Sequence, residues 1–293
     1  MSGRPRVPKD IFELRTVAAA LLVSLLLWNL PFGGLVLYPF KLLATWLHEM
    51  SHALMMMLTG VGLGGVQIYR DTSGLAFTAS RGAPWQTAIV STAGYMGTAL
   101  WGAVLLVVTR TPRAARRALL LLAVLMAWTA AMVVVDVGDD SFGMWAVIGM
   151  AIAMAVVAVV VPGRWRVALA HFVAAQSCIN ALLDIRVLLR PSQVINGADA
   201  AMMSDAHAMA KATFGTTQPW AVYTWAGLWL AWSLVVLFVA LRFSGSRASP
   251  SAAPPGPATA SLPGGSDRGG HRRSPVTAPD ETGPSESAGT GES

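Results

Sequence analysis

The stretch Trp46-Leu-His-Glu-Met-Ser-His-Ala-Leu54 places three ionisable side chains inside an otherwise apolar segment. His48 and His52 are four residues apart, and Glu49 directly follows the first of them. On a helix, residues i and i+4 lie on one face, so both imidazoles can be directed at a single point. Neutral imidazole is a good zinc ligand, and the H-E-x-x-H order adds a carboxylate beside the pair. We therefore predict a helical metal site with His48 and His52 as ligands.

The composition predicts that this helix lies in a membrane. Of the 293 residues, 54% are hydrophobic and only 12% are charged, and the mean hydropathy is +0.55. A soluble helical core would show amphipathic periodicity, whereas the long runs here are apolar on all faces. Ionisable groups are rare in such segments and usually functional, which favours chemistry over coincidence for the H-E-x-x-H element.

The net charge of +6 does not indicate a nucleic-acid partner. Basic residues occur mainly at the edges of the apolar runs and in the C-terminal region, a placement that suits lipid headgroups. The predicted partners are the lipid bilayer and a membrane protein or peptide substrate, with no nucleic acid. Cys178 is the single cysteine, which excludes an internal disulfide and a cysteine zinc site.

Hydropathy predicts an all-α polytopic membrane protein with about seven transmembrane helices. A membrane-embedded domain over residues 16–241 follows an N-terminal segment, residues 1–15, and precedes a disordered tail, residues 242–293. The tail is rich in Ser, Pro, Gly, Ala and Thr and cannot bury enough surface to order itself. In the third segment, Gly94, Thr98 and Gly102 have the spacing that lets helices approach closely. The seven segments are Thr16–Tyr38, Lys41–Leu58, Gln86–Thr109, Ala118–Val135, Met144–Val161, Arg166–Leu189 and Trp220–Leu241.

A small β-hairpin is predicted directly after the H-E-x-x-H helix. Gly60 is a plausible helix C-cap. Val66–Tyr69 and Leu75–Thr78 are short strand candidates on either side of the turn signal Asp71-Thr-Ser-Gly74. We expect this hairpin at the membrane surface.

A catalytic zinc site usually has three protein ligands, so one ligand is still to be assigned. Gln176, Asn180 and Asp184 are spaced four apart and form a polar stripe on one helix face. An aspartate in an apolar span needs a partner, and a metal ion is a good one, which favours Asp184. The alternative for Asp184 is a salt bridge with Arg186 or Arg190.

Four other residues complete the set of candidates. Asp205 and His207, in the loop before the last segment, are the alternative ligands, although solvated loop polarity also accounts for them. His171 lies about 220° around its helix from Asp184 and is expected to be a packing or interfacial histidine. His271 lies in the tail and is discounted.

Together these features resemble the site-2 protease family of intramembrane zinc metallopeptidases, most closely its compact branch without a PDZ domain. The resemblance covers about residues 41–189 and is weaker in the residues that follow. It is carried by His48-Glu-Met-Ser-His-Ala-Leu54, by Gly60 with the hairpin, by Ala93-Gly-Tyr-Met-Gly97 and, more weakly, by Ser204-Asp-Ala206.

The resemblance implies a ligand set and a catalytic base. It implies one zinc ion held by His48, His52 and Asp184, with Glu49 activating a water molecule as general base. The chain departs from the family pattern at the late aspartate, because Asn180-Ala-Leu-Leu-Asp184 has no prolines and no following glycine. It departs again at Ala93-Gly-Tyr95, where the family has Ala-Gly-Pro.

The resemblance also implies where the substrate binds. The hairpin would hold it as an added strand, through Val66, Gln67 and Ile68, and Asn180 would orient it. The expected function is an intramembrane zinc metalloendopeptidase that cleaves membrane-associated substrates, in a multi-pass protein of the cell membrane. The alternative is a non-proteolytic metal-binding membrane scaffold or transporter that retains the fold.

Overall fold

The computed structural model describes residues 9–136, 138, 140–188, 193–195, 198–200 and 204–245. Within these ranges the chain forms eight helices and two small antiparallel sheets. The helices are α1 Lys9–Asn29, α2 Gly33–Thr59, α3 Pro84–Val108, α4 Pro112–Met132, α5 Phe142–Val160, α6 Gly163–Leu188, α7 Asp205–Phe214 and α8 Pro219–Gly245. The strands are β1 Leu63–Ile68, β2 Gly74–Thr78, β3 Gln193–Ile195 and β4 Ala198–Ala200.

Among the described residues, five helices are long and apolar enough to cross a bilayer: α3, α4, α5, α6 and α8. The end of α1, Ala18–Asn29, and α2 pass the same test as a pair bent by 120°, which raises the count to six. Large apolar side chains such as Phe238 and Val160 are exposed on the outside of the bundle, as expected where lipid covers them. The chain is therefore a multi-pass, mostly helical membrane protein. The predicted count of seven separate spans is not confirmed.

The break between the first two helices lies earlier than the sequence predicted. We expected the helices to be separated around Pro39, but Pro39 lies inside α2, which already begins at Gly33. Proline removes one intrahelical hydrogen bond, and a long helix tolerates this as a local distortion. The helices separate instead between Asn29 and Gly33, where the chain turns so tightly that a Cβ on Gly33 would overlap the backbone of Leu27.

Helix α2 is the centre of the molecule. It packs against α1, α3, α5, α6 and both strands of the first sheet. Leu43, Trp46 and Leu47 of α2 share an apolar core with Met126 of α4. The Trp46 indole also donates a hydrogen bond to the Thr129 hydroxyl at 3.0 Å, which ties α2 to α4. The face of α2 that carries the two histidines is therefore held in a fixed orientation within the bundle.

The first sheet is a hairpin that lies along α2, with β1 on the inside. Val66 of β1 is already bonded on its outer edge: its N–H donates to Val133 O at 3.0 Å, and its carbonyl accepts from Val135 N–H at 2.9 Å. The other edge of β1 pairs with β2, where Val66 is opposite Ala76. Strand β1 is thus enclosed on both sides, and β2 is the outer strand of this hairpin.

The predicted terminal regions fall largely outside the described residues. Helix α1 begins at Lys9, within the predicted N-terminal segment, and α8 continues past the predicted domain end to Gly245. The tail predicted over residues 242–293 is described only up to residue 245.

Candidate metal centre

Helix α2 presents its two histidines to one point, as the i, i+4 spacing predicts. The Nε2 atoms of His48 and His52 are 3.0 Å apart. His52 is buried, and a hydrogen bond of 2.7 Å joins its Nδ1 to the carbonyl oxygen of Val90 on α3. A carbonyl only accepts, so Nδ1 carries the proton and Nε2 keeps its lone pair free. This is the orientation that a metal-binding imidazole needs.

Helix α3 approaches the two imidazoles more closely than any side chain would allow. A Cβ on Gly94 would overlap the Nε2 atoms of both His48 and His52. One turn on, a Cβ on Gly97 would overlap the hydroxyl of Ser51 on α2. Of the small residues predicted to allow close packing, Gly94 therefore packs against the site itself and keeps the space in front of the histidines open, whereas Gly102 packs against α6.

The third side chain at this point is Asp205, the first residue of α7. Its Oδ2 lies 3.1 Å from His48 Nε2 and 3.2 Å from His52 Nε2. The helix start that holds it is capped by the Ser204 hydroxyl, which accepts from the N–H of His207. Burial raises the pKa of the Asp205 carboxyl, but the charges and hydrogen bonds of the two histidines outweigh burial and hold it below its usual range. Asp205 is therefore a carboxylate at neutral pH.

The three groups fit a zinc ion. Among the described residues, His48, His52 and Asp205 form a group whose ligand atoms all lie within 4.8 Å of one another. Zinc bonds of about 2.0–2.1 Å put neighbouring tetrahedral ligands roughly 3.3 Å apart. The observed separations of 3.0, 3.1 and 3.2 Å are close to that value. Two imidazoles and one carboxylate are also a donor set found in catalytic zinc sites.

Asp184 does not belong to this group, although the sequence favoured it as the third ligand. It lies near the C-terminal end of α6 and lines the same cavity, within electrostatic range of His48 and Lys41. The position beside the histidines is taken by Asp205, which the sequence offered as an alternative. The start of α7 brings Asp205 directly against the two histidines of α2. The arginines proposed as salt-bridge partners of Asp184 lie outside the described side chains.

The other candidate residues fall around the cavity or away from it. Asn180 lines the cavity and makes a long hydrogen bond of 3.5 Å to the carbonyl of Phe40. His207 is hydrogen-bonded through Nδ1 to the Ser204 hydroxyl at 2.6 Å, within α7's own cap. His171 is fully buried in α6 and does not line the cavity, in keeping with the packing role expected for it.

Glu49 faces the outer strand of the hairpin. A Cβ on Gly74 would lie 2.7 Å from both Cγ and Oε1 of Glu49, so glycine is required where the carboxylate passes β2. The backbone of Ala76, further along β2, also faces this carboxylate. The hairpin tip is tied to α2 as well, because the Thr45 hydroxyl donates to the carbonyl of Thr72 at 2.6 Å. Glu49 is thereby held between the histidine pair and β2.

A cavity of about 490 Å³ joins these groups. Its wall contains the two histidines, Glu49, Asp205, Tyr95 and the β2 segment. No role was predicted for Tyr95 from the sequence. The position was marked only because the family that the sequence resembles has a proline there. Asp205 had a local signal, since Ser204 is an N-cap residue followed by an acidic first turn, but nothing local could show which distant helix it meets.

A polytopic bundle with two histidines, a carboxylate and a neighbouring glutamate on a buried cavity defines the class of membrane metallopeptidases. A family model described as Peptidase M50B-like matches residues 17–240, and the chain belongs to this family. It is the site-2 protease family, and no PDZ domain is indicated. Comparison with curated proteins and with solved structures found no match.

Proposed function

We propose that this protein is an intramembrane zinc endopeptidase that hydrolyses peptide bonds of membrane-associated substrates. The observation that carries the proposal is the convergence of His48, His52 and Asp205 on one point with Glu49 adjoining it. His48, His52 and Asp205 would hold the ion, with Asp205 in the place that the sequence assigned to Asp184. Zinc bound there would polarise the scissile carbonyl and make a coordinated water acidic at neutral pH.

Glu49 is the general base in this proposal. It is the first residue after a ligand on the same helix, so it reaches the side of the site rather than the ligand position. Its carboxylate would take a proton from the attacking water and return it to the leaving amine. The close approach of Gly74 limits the rotation of this carboxylate. The base and the two proposed histidine ligands therefore belong to one helix, whereas Asp205 comes from α7.

The outer edge of β2 is the proposed substrate-binding strand. Tyr69 N–H donates to Ser73 O at the hairpin end, so alternate residues of β2 direct their backbone groups at β1. By this alternation, Gly74 and Ala76 direct theirs away from β1, to the side where Glu49 lies. An extended substrate added to this edge would pass the base. This moves the proposed strand from Val66, Gln67 and Ile68 to β2, because β1 has both edges occupied.

The test is Glu49→Gln in the purified protein, reconstituted in liposomes with quenched fluorescent peptides that each carry one apolar segment of about 20 residues. The variant should retain one zinc per chain by elemental analysis, because Glu49 is not a proposed ligand, and cleavage should fall at least about 100-fold. Asp140→Asn, an acid-to-amide change on an exposed loop, is the matched control and should cleave normally. Normal cleavage by Glu49→Gln, or absence of cleavage by the wild-type protein, would contradict the proposal.

The surroundings of the site define the expected substrates. The cavity lies within a bundle of membrane-spanning helices, so the substrate would be a membrane protein or a peptide at the bilayer, with lipid as the other partner. The cell membrane is the proposed location of this multi-pass protein. Fractionation of cells that produce the tagged chain would test this, and recovery outside the cell-membrane fraction would count against it.

A further inference from the structure

Tyr95 of α3 is clamped at the edge of the metal centre. Its ring meets His48 edge to face, with ring centroids 4.8 Å apart and an interplanar angle of 90°. Its other contact is a parallel stack on Trp229 of α8, at 5.1 Å and 8°. The side chain is only 6% exposed, so the ring has little freedom to turn. Two aromatic contacts on different sides therefore set the direction of the hydroxyl.

The Tyr95 hydroxyl is left available by this arrangement. It makes no hydrogen bond to any residue that the structure describes, whereas the hydroxyls of Tyr38 and Tyr69 each donate to a protein oxygen. Tyr95 lines the same cavity as Glu49 and Asp205 and lies within electrostatic range of both carboxylates. A largely buried hydroxyl usually has a hydrogen-bond partner, and a group on a bound ligand can supply one. With an ordinary pKa of about 10, a tyrosine is a hydrogen-bond donor at neutral pH.

Tyr95 and Glu49 reach the centre from different elements. Glu49 is held against β2, whereas Tyr95 comes from α3 and is backed by α8. His48 lies between these two environments, since it neighbours Glu49 on α2 and touches the Tyr95 ring. In peptide hydrolysis, the base and the group that stabilises the carbonyl oxygen must act at different atoms. The arrangement meets this requirement.

We propose that Tyr95 is a catalytic residue that donates a hydrogen bond to the oxygen of the scissile carbonyl. The proposal rests on the proposed function. As the water oxygen bonds to the carbonyl carbon, its proton passes to Glu49 and the π electron pair moves onto the carbonyl oxygen, next to the Tyr95 O–H. The C–N bond then breaks, the electron pair returns to re-form the carbonyl, and the amine leaves with the proton from Glu49. Tyr95 keeps its own proton throughout and stabilises the charge by hydrogen bonding.

Tyr95→Phe separates this role from ring packing, because phenylalanine keeps the contacts with His48 and Trp229. Tyr223→Phe, on the exposed side of α8, removes the same atom from a residue that is 50% exposed. With the fluorescent peptides, we expect Tyr95→Phe to lower kcat by about 10²–10³-fold with little change in KM. Zinc content should stay at one ion per chain, and Tyr223→Phe should match the wild-type protein in both measurements.

A second measurement does not depend on turnover. A phosphinic peptide carries a tetrahedral, negatively charged group in place of the scissile bond, and its affinity for the zinc-loaded protein is measured by calorimetry. Tyr95→Phe should weaken this binding by about tenfold or more, since hydrogen bonds to charged groups are the strong ones. Tyr223→Phe should not weaken it.

The outcomes distinguish failure of this proposal from failure of the proposed function. Wild-type kcat together with wild-type phosphinate affinity in Tyr95→Phe overturns the proposal, and so does loss of zinc, which would make Tyr95 a packing residue. A wild-type protein that binds zinc but no phosphinate also overturns it. If the wild-type protein cleaves no peptide yet binds phosphinate, and Tyr95→Phe weakens that binding, the peptidase function fails while the oxyanion-binding role of Tyr95 stands.

Discussion

Two aspartates reach one cavity from very different elements. Asp184 belongs to α6, a helix of 26 residues that is long enough to span a bilayer, whereas Asp205 begins α7, a helix of only ten residues. The sequence favoured the aspartate in the apolar span, because a carboxylate there needs a strong reason to exist. The structure instead places the aspartate of the short helix on the histidines. A carboxylate in a membrane helix can thus line a polar cavity without being the nearest group to the metal position.

Replacing each of the two aspartates with alanine tests the contrast between them most directly. Asp205→Ala removes a proposed ligand, so the zinc affinity should fall by more than about 100-fold. Asp184→Ala removes a cavity-lining group and should lower it by less than about tenfold. Competition with a fluorescent zinc chelator measures both variants under one set of conditions. The reverse order of effects would return the ligand role to Asp184.

Gly94 should have the next largest effect, because a Cβ there would overlap the imidazoles of both His48 and His52. In Gly94→Ala the added methyl group displaces the imidazoles, and we expect a loss of about 10–100-fold in zinc affinity. Gly149→Ala on α5 is the control, since a Cβ there meets no atom within 4 Å. It should leave zinc affinity unchanged and raise Tm slightly, because alanine favours helix more than glycine does. Equal zinc affinity in the two variants would show that α3 does not crowd the site.

The cap of α7 should have a smaller effect. Ser204→Ala removes a capping hydroxyl, which costs about 1 kcal/mol of helix stability, so zinc affinity should fall only a few-fold. Thr111→Ala removes the corresponding cap of α4, where the Thr111 side chain accepts from Ala114 N–H at 3.2 Å. It should lower Tm by a similar amount without changing zinc affinity. A change in zinc affinity in both variants would mean that general destabilisation, and not the position of Asp205, is being measured.

The smallest effect is expected at the hairpin tip. Arg70 makes two hydrogen bonds to Asp140, at 3.1 and 3.2 Å, and both side chains are exposed. The bond from Arg70, with one from the N–H of Phe142, holds the pKa of Asp140 below its usual range. The contribution of this interaction to the stability of the fold is therefore present above the ordinary Asp pKa of about 3.9. It is lost as the pH falls through the lower pKa that Asp140 has in the folded protein. The Tm of the wild-type protein and that of Asp140→Asn should be nearly equal from pH 5 to 8, because exposed ion pairs contribute little. A large difference in Tm would show that the Arg70–Asp140 interaction stabilises the fold more than expected.

The sequence predicted those features that depend only on residues close together along the chain. The positions of His48, Glu49 and His52 follow from helical spacing, and the strands of the hairpin follow from a turn signal between short apolar runs. Asp205 could not be chosen in the same way, because 153 residues separate it from His52 and only tertiary packing brings them together. The position of β2 as the outer strand was hidden for the same reason, since Val133 and Val135, distant in sequence, bond to the other edge of β1.

The wide separation along the chain of the three proposed ligands also sets an order of events during synthesis. Both histidines leave the ribosome early, whereas Asp205 emerges only after α3 to α6 have been made. A nascent chain that ends before α7 has two of the three groups and would hold a metal ion only weakly. Because a metal ion adds its binding free energy to the folded state, tight loading becomes available only when the C-terminal part has docked. An incompletely assembled chain would thus lack the complete proposed metal site.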